Sequence, residues 1–437
     1  MKLMHGKVDK DVNSSNLNEF IGTEAKIRGI VHRVRNLGGI IFIILHDTRS
    51  TIQCVLESKT TPLDNNLLRR GNWLEITGKV VSQKSISAGV EIQIKEIKLL
   101  SIISGENPIT TGDISLENNL GLRLKFRSIG LRELKEKAIF RIKDGIKEAF
   151  RGFLRANNFV EIDTPKIIFK GIEGGSKLFS VDYFGEQGYL SQSPQLYKQM
   201  MVGVFGKVFE VAPVFRANKN KSSRQLNEFI ALDVEFGPID GMDDVMDLIV
   251  ALIRYISDKI IGNYQYEIDL LKANIPKIDG IPSIYYDEAK EIVVRLRNDN
   301  KIDASIKDEQ ILSSYAKGQW RSEFLFITHP PYSNCSFYVM EDKEMPGFGK
   351  SCDLLFRGLE IANGGQRIHS YESQRERMLE LKFNIKDFEH YLTAHLYGLP
   401  PHGGFAISLE RYIMKLIGLS NIREASLFPR DTNIRNF

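Results

Sequence analysis

From Ala25 to about residue 100, apolar and polar residues alternate at every second position. Successive side chains of a strand point to opposite faces, so this period predicts strands with one face buried. The runs fall at residues 25–31, 39–45, 51–55, 73–80 and 90–94. About five short strands in so small a unit predict a β-barrel of OB type, an architecture that binds oligonucleotides on one face or serves packing alone. Between about residues 104 and 130 the pattern lapses into polar sequence with Pro and Gly, which predicts a hinge. From Leu131 the spacing changes: Leu134, Ala138, Ile142, Ile146, Ala149 and Phe153 recur at three- and four-residue steps. That is the apolar stripe of a long helix, and it ends near Asn157 and Asn158. Residues 159–165 continue as a strand closed by Pro165.

Residues 209–236 predict a long antiparallel hairpin. Its first run carries Phe209, Val211, Val214 and Phe215 and ends in Arg216. A loop adds Lys219, Lys221 and Arg224, and the returning run carries Glu228, Asp233 and Glu235 among apolar residues. Residues 191–199 predict a strand end, then a helix whose first turn holds Pro194 and whose face carries Lys198. From about Met242 to Lys317 the pattern is mostly helical and polar, with a helix start at Tyr286, and it shows no chemistry. Residues 324–329 and 336–340 predict two further buried strands.

The chain of 437 residues holds more than one domain, and 42% apolar and 26% charged residues supply an ordinary globular core. A net charge of +4 is too small to announce a nucleic-acid binder by itself. Cys54, Cys335 and Cys352 lack the spacing of a disulfide framework or a zinc site. The first residues lack the apolar core of a signal sequence, and no apolar run is long enough to span a bilayer, so a cytoplasmic enzyme is expected.

Residues 347–351 end like a phosphate-binding P-loop, yet Glu344 stands where the first glycine is needed and Cys352 breaks a GxGxxG pattern; both motifs fail. The Arg216 guanidinium at the end of an apolar strand is costly to bury without an anion, and its fork suits phosphate. Asp353, Glu360 and Arg367 recur at seven-residue intervals. Two acids on flanking strands suit a divalent cation shared with phosphate oxygens; ordinary surface charge is the other reading.

Taken together, residues 209–236, the helix-strand-proline at 131–165, the SQSPQLYKQ run at 191–199, the 352–367 segment and HGGFAISLER at 402–411 resemble the class II aminoacyl-tRNA synthetases. The resemblance runs along nearly the whole chain and is to the aspartyl enzymes of archaeal and eukaryotic type. It implies an α+β protein: an N-terminal OB-fold anticodon-binding domain at 1–104, a hinge at 105–130, and a catalytic domain at 131–437 with an antiparallel sheet flanked by helices. It implies ATP and Mg²⁺, L-aspartate and tRNA-Asp as ligands, a homodimer built on 131–165, and no membrane. By similarity Arg216 and Arg411 are catalytic and bind ATP with Arg224 and Glu360, while Asp353 and Glu360 hold the metal. Glu173, Gln192 and Asp233 hold the substrate ammonium, and Lys198 and Arg367 its side-chain carboxylate. In the barrel, His32, Phe42 and Gln53 meet the anticodon, although Phe42 lies in a continuous apolar run and suits a core as well.

The chain departs from that pattern at five positions. Asn218 stands for a glutamate, Gln225 for a histidine, Asn363 for a serine, and Ala406 and Ser408 for glycines. His32 stands where strictly aspartate-specific archaeal enzymes tend to carry tryptophan and relaxed ones histidine, which implies that tRNA-Asn is charged too. An asparaginyl enzyme, and a divergent paralogue activating aspartate or asparagine without tRNA, are the alternatives.

Overall fold

A computed structural model describes residues 12–14, 16–47, 50–57, 66–83, 89–106, 108–109, 119–169, 177–219, 222–297 and 306–434. The chain divides into two compact units, Met1–Glu136 and Lys137–Phe437. In the first, β1 (Glu24–Asn36), β2 (Ile40–His46), β3 (Thr51–Glu57), β4 (Trp73–Ser82) and β5 (Val90–Ser101) close into a barrel in the order β1-β2-β3-β5-β4. Alternation decides which way each residue faces. Ile41, Ile43 and Leu45 of β2 enter the core, while Phe42 and Ile44 are half-buried on the outside. The OB-type expectation holds.

The expected hinge holds more order than its pattern suggests, because α1 (Leu120–Lys125) and α2 (Arg127–Gly130) lie within it. Neither is long enough for a 3.6-residue period to show. Asn119 caps α1 by accepting from the Leu122 N–H at 2.9 Å, and the buried Arg127 donates to Glu136 at 2.8 Å.

The second unit opens with α3 (Leu134–Ala156), β6 (Val160–Glu161) and a small sheet of β7 (Ile167–Ile168), β8 (Ser180–Tyr183) and β9 (Glu186–Leu190). Next come α4 (Gln195–Phe205), β10 (Lys207–Phe215) and β11 (Glu228–Phe236), the expected hairpin. The largely helical stretch follows as α5 (Met242–Asn263), α6 (Gln265–Leu271), β12 (Ser283–Tyr285), α7 (Tyr286–Arg297) and α8 (Ile306–Trp320). The chain ends with β13 (Phe324–Thr328), β14 (Ser351–Phe356), β15 (Glu360–Gln366), α9 (Tyr371–Glu380), α10 (Glu389–Leu396), β16 (Gly403–Ser408) and α11 (Leu409–Leu416). One sheet organises the unit, in the order β12-β13-β14-β15-β16-β11-β10-β6. Its inner pairs are antiparallel, whereas the edge strands β12 and β6 pair in parallel with their neighbours.

Alternation also divides the faces of this sheet. Phe209, Leu232, Val234, Leu354, Phe405 and Ile407 join Ile142, Ile146 and Phe150 of α3 and Leu252, Ile253 and Ile256 of α5 in one core. Residues of the opposite parity face the other way, and they carry the polar chemistry. Two expected strands shrink. Of residues 159–165 only Val160 and Glu161 pair in the sheet. Residues 336–340 form no strand; Val339 makes one isolated bridge to Arg367, and Phe337 is buried instead among Met378, Phe388 and Tyr391. A buried loop with alternating apolar residues carries the same period as a strand.

Candidate active site

The strand register lays one row of side chains across the polar face. Glu210 on β10, Asp233 on β11, Ala406 on β16, Asn363 on β15 and Asp353 on β14 are successive cross-strand partners. In the adjacent row Glu235 faces Gly404. A Cβ at 404 would lie 2.2 Å from Glu235 Oε2 and from the Val234 carbonyl, so no larger residue fits.

Around these rows four charges pack together. The buried face of α4 presents Gln195, Lys198 and Gln199, spaced to lie one turn apart on a helix. Lys198 Nζ lies 2.9 Å from Asp233 Oδ1 and 3.3 Å from Glu235 Oε2. Arg367, whose backbone N–H donates to the His402 carbonyl, lies with Nε 2.8 Å from Glu235 Oε1 and donates through Nη2 to the Gly404 carbonyl at 2.8 Å. None of the four side chains is more than 3% exposed. Charges so far from water persist only when paired and hydrogen-bonded. Burial would raise the Glu235 carboxyl, but Arg367 and Lys198 outweigh it and hold it below the usual range. Burial prevails at Asp233, whose carboxyl is raised against the pull of Lys198. Behind Glu235, His402 Nδ1 donates to the Pro400 carbonyl at 2.9 Å, which leaves Nε2 to accept from Gln199 at 3.0 Å. Burial lowers this imidazole to about 4, so it is neutral at pH 7.

Asp233 Oδ2 is buried and has no hydrogen-bond partner. Asp233 borders a cavity shared by Gln192, Arg216, Arg224, Phe229, Glu360 and Arg411. Arg216 leaves the end of β10, exposed, with its guanidinium 5.4 Å from the centre of the Phe229 ring. Asn227 fixes that strand end: the Arg216 N–H donates to its carbonyl at 2.8 Å, and its side-chain amide donates to the carbonyls of Arg216 and Asn218. Arg411 sits in the first turn of α11, which Ser408 caps, and donates through Nη1 to the Glu360 carbonyl at 2.8 Å. Asn363 Nδ2 donates to Asp353 Oδ1 at 2.5 Å. Removal from water, and then the neighbouring Glu360, push the Asp353 carboxyl up to about 7. Such an arrangement offers cations for a polyphosphate, an aromatic face for a flat ring, and a lone acceptor for an ammonium.

A family model described as tRNA synthetases class II (D, K and N) matches residues 119–432, and one for an OB-fold nucleic acid binding domain matches 25–100. The chain belongs to the class II tRNA synthetases. It is 39% identical over 418 residues to the aspartate–tRNA(Asp/Asn) ligase of Deinococcus radiodurans, covering 94% of this chain and 95% of that protein. It is 37% identical over 423 residues to the aspartate–tRNA(Asp) ligase of Pyrococcus abyssi, covering 94% and 96%. The crystal structure of asparaginyl-tRNA synthetase from Pyrococcus horikoshii with asparaginyl-adenylate matches with a TM-score of 0.90 at 26% identity, covering 98% of this chain and all of that one. Among the described residues no helix is long and apolar enough to cross a membrane.

Within this synthetase fold, Gln192, Arg216, Arg224, Asp233, Glu360 and Arg411 share one cavity. Lys198 and Arg367 lie beneath it, joined through Asp233 and Glu235. Asp353 joins through Asn363. Glu173 lies outside the described residues, as does Lys221. Arg224 is already engaged, by Glu309 and the Gly358 carbonyl. All five departures border the cavity: Asn218, Gln225, Asn363, Ala406 and Ser408. Ser408 has a local reason, since a capping hydroxyl is something glycine lacks.

In the barrel unit Phe42 and Gln53 share the outer face of the paired strands β2 and β3, and Gln53 donates to Glu91 at 2.9 Å. His32 stacks on His46, ring centroids 3.9 Å apart, and burial with Arg70 and Arg33 lowers its pKa. Phe229 and Glu309 were not legible as site residues. Glu235 was, in part: it stands two residues from Asp233, on the same face of one strand.

Proposed function

We propose that this chain is an aspartate–tRNA ligase, which activates L-aspartate with ATP as aspartyl-adenylate and passes the aspartyl group to tRNA-Asp and to tRNA-Asn. The observation that carries the reading is the buried Lys198–Asp233–Glu235–Arg367 set meeting, at Asp233, the cavity that Arg216 and Arg411 also line, with Asp233 Oδ2 left without a hydrogen-bond partner. An α-amino acid needs an acceptor for its ammonium. Asp233 supplies one, with Gln192 beside it and Glu173 as a further acid. A side-chain carboxylate needs cations, and Lys198 and Arg367 suit it better than they suit an amide.

In the first step a substrate carboxylate oxygen attacks the α-phosphorus; the new O–P bond replaces the bond to the leaving pyrophosphate. In the second, the terminal ribose hydroxyl of tRNA attacks the acyl carbon and AMP leaves. No side-chain nucleophile is required, so the work is positioning and charge stabilisation. Arg216 holds the α-phosphate, Arg411 the γ-phosphate, Arg224 lends a third cation, and Phe229 offers its face to the purine. The donor set fits Mg²⁺: two carboxylates, Asp353 and Glu360, whose mutual repulsion a cation relieves. Bound there, the ion would neutralise phosphate charge. Residues 1–104 bind the anticodon through His32, Phe42 and Gln53, 105–130 form a hinge, and 131–437 perform the chemistry, in a cytoplasmic homodimer.

The test is ATP–pyrophosphate exchange with aspartate and with asparagine, followed by charging of each tRNA. Exchange with aspartate and charging of both tRNAs is expected. Exchange with asparagine alone, or none at all, overturns the ligase assignment; charging of tRNA-Asp alone overturns the dual specificity. Arg216→Lys should lower kcat/KM for exchange by about 10²–10³ with the fold intact, because a point charge replaces a fork at an exposed position.

A further inference from the structure

Helix α8 comes from the part of the chain whose sequence shows no chemistry, yet it holds a residue that lines the cavity. The Glu309 carboxylate forms an ion pair with Arg224, and Arg224 Nη2 also donates to the Gly358 carbonyl at 3.0 Å. Among the described residues Nε and Nη1 of Arg224 donate to nothing. Arg224 borders the cavity. The helix that carries Glu309 is itself seated. Ser313 Oγ accepts from the Gly358 N–H at 2.8 Å, and Gly358, at φ +75°, lies so close that a Cβ there would come within 3.3 Å of the Gln310 Cα. Gly358 belongs to the turn between β14 and β15, the strands of Asp353 and Glu360. One helix therefore touches both the basic loop that carries Arg224 and the turn of the acidic hairpin that carries Asp353 and Glu360.

We propose that Glu309 is a positioning residue for nucleotide binding: by gripping one nitrogen of Arg224, it holds the guanidinium with its other two N–H-bearing nitrogens presented to the triphosphate. This rests on the ATP reading of the cavity. An arginine is among the side chains that lose most rotamer freedom when they bind, and a guanidinium anchored beforehand has less left to lose. The anchor must be anionic to hold a cation that shares its cavity with Arg411 and Arg216. Charge-assisted hydrogen bonds are the stronger class, and this one is partly shielded from water by α8.

The experiment is steady-state ATP–pyrophosphate exchange with L-aspartate, varying ATP. Glu309→Gln should raise KM for ATP about tenfold, the usual scale for losing a hydrogen bond to a charged group, while kcat changes by less than about threefold. Arg224→Gln should do the same, and the double variant should be no worse than Arg224→Gln alone, because the two act through one contact. Asp308→Asn is the control: Asp308 lies on the same helix and pairs with Arg297 at 3.1 Å, so its loss should leave KM for ATP unmoved. Should Glu309→Gln fail to fold, Glu309→Asp keeps the charge, shortens the reach and should move KM in the same direction. An unchanged or lower KM in the Glu309 variants, or additive effects in the double variant, overturns the positioning role alone. A wild-type chain without exchange overturns the functional reading and this inference with it.

Discussion

Two glutamates in this molecule each hold a lysine and an arginine, at the same distances. On the barrel, Glu75 of β4 lies 3.3 Å from Lys26 Nζ and 2.8 Å from Arg28 Nε of β1. In the catalytic sheet, Glu235 lies 3.3 Å from Lys198 Nζ and 2.8 Å from Arg367 Nε. The difference is water. Lys26 and Arg28 are 58% and 64% exposed, whereas Lys198 and Arg367 are 1% and 3% exposed. Glu75 itself is only 10% exposed, yet with both cations in water such a set gains little, because water already satisfies them and salt screens the pairing. Away from solvent the same set is indispensable, not because it stabilises the fold outright, but because no member can be removed without stranding the others. A cluster that costs so much to bury is easier to explain by what it binds than by what it stabilises.

The largest predicted effect probes that difference. Glu235→Gln should destabilise the second unit by about 3–5 kcal/mol in urea denaturation, the penalty for uncompensated buried charge, and abolish exchange. A loss below about 1 kcal/mol would show that water reaches the set and would erase the contrast. The second effect is pH dependence through His402. Its folded pKa is about 4 against 6.5 for an ordinary histidine, so between those values the unfolded chain binds the extra proton. Stability contributed by the neutral ring is therefore full above about pH 6.5 and lost as pH falls toward 4, by about 3 kcal/mol in all. His402→Asn should flatten that slope in denaturation curves taken at pH 7 and pH 4.5. Third, Phe42→Ala on the outer barrel face should weaken tRNA binding by about 1–3 kcal/mol, the usual loss for one stacked base, and leave exchange untouched. The smallest effect closes the comparison: Glu75→Gln, with the same partners and spacing as Glu235, should leave the denaturation midpoint within error.

The barrel was the easier part to read. Its strands alternate over an apolar core, and a side chain such as Phe42 shows its face by parity once the strand is placed. The parity rule also bore on the catalytic sheet, where Asp233 and Glu235 share a face. What alternation does not convey is a partner's identity. Residues 336–340 alternate as a strand would, yet only Val339 makes a bridge, because burial in a loop cluster imposes the same apolar spacing. The helices α1 and α2 stayed hidden for the opposite reason, being too short to complete a period. Glu309 left no trace at all: on a polar helix it resembles any solvated acid, and its partner Arg224 lies far away in the chain.

The sequence by itself determined the barrel, the hairpin of β10 and β11, the run of helices after it, and the polar residues Gln192, Arg216, Arg224, Asp233, Glu360 and Arg411 as candidates, because these follow from local period and from motifs whose side chains are chemically specific. Only the tertiary structure decided that Lys198 and Arg367 share Glu235, that Asp233 keeps one oxygen unpartnered, and that α8 touches both Arg224 and the β14–β15 turn. Those facts depend on strand register and on which charges lose their water together. Both are settled only when elements distant in the chain close over one another.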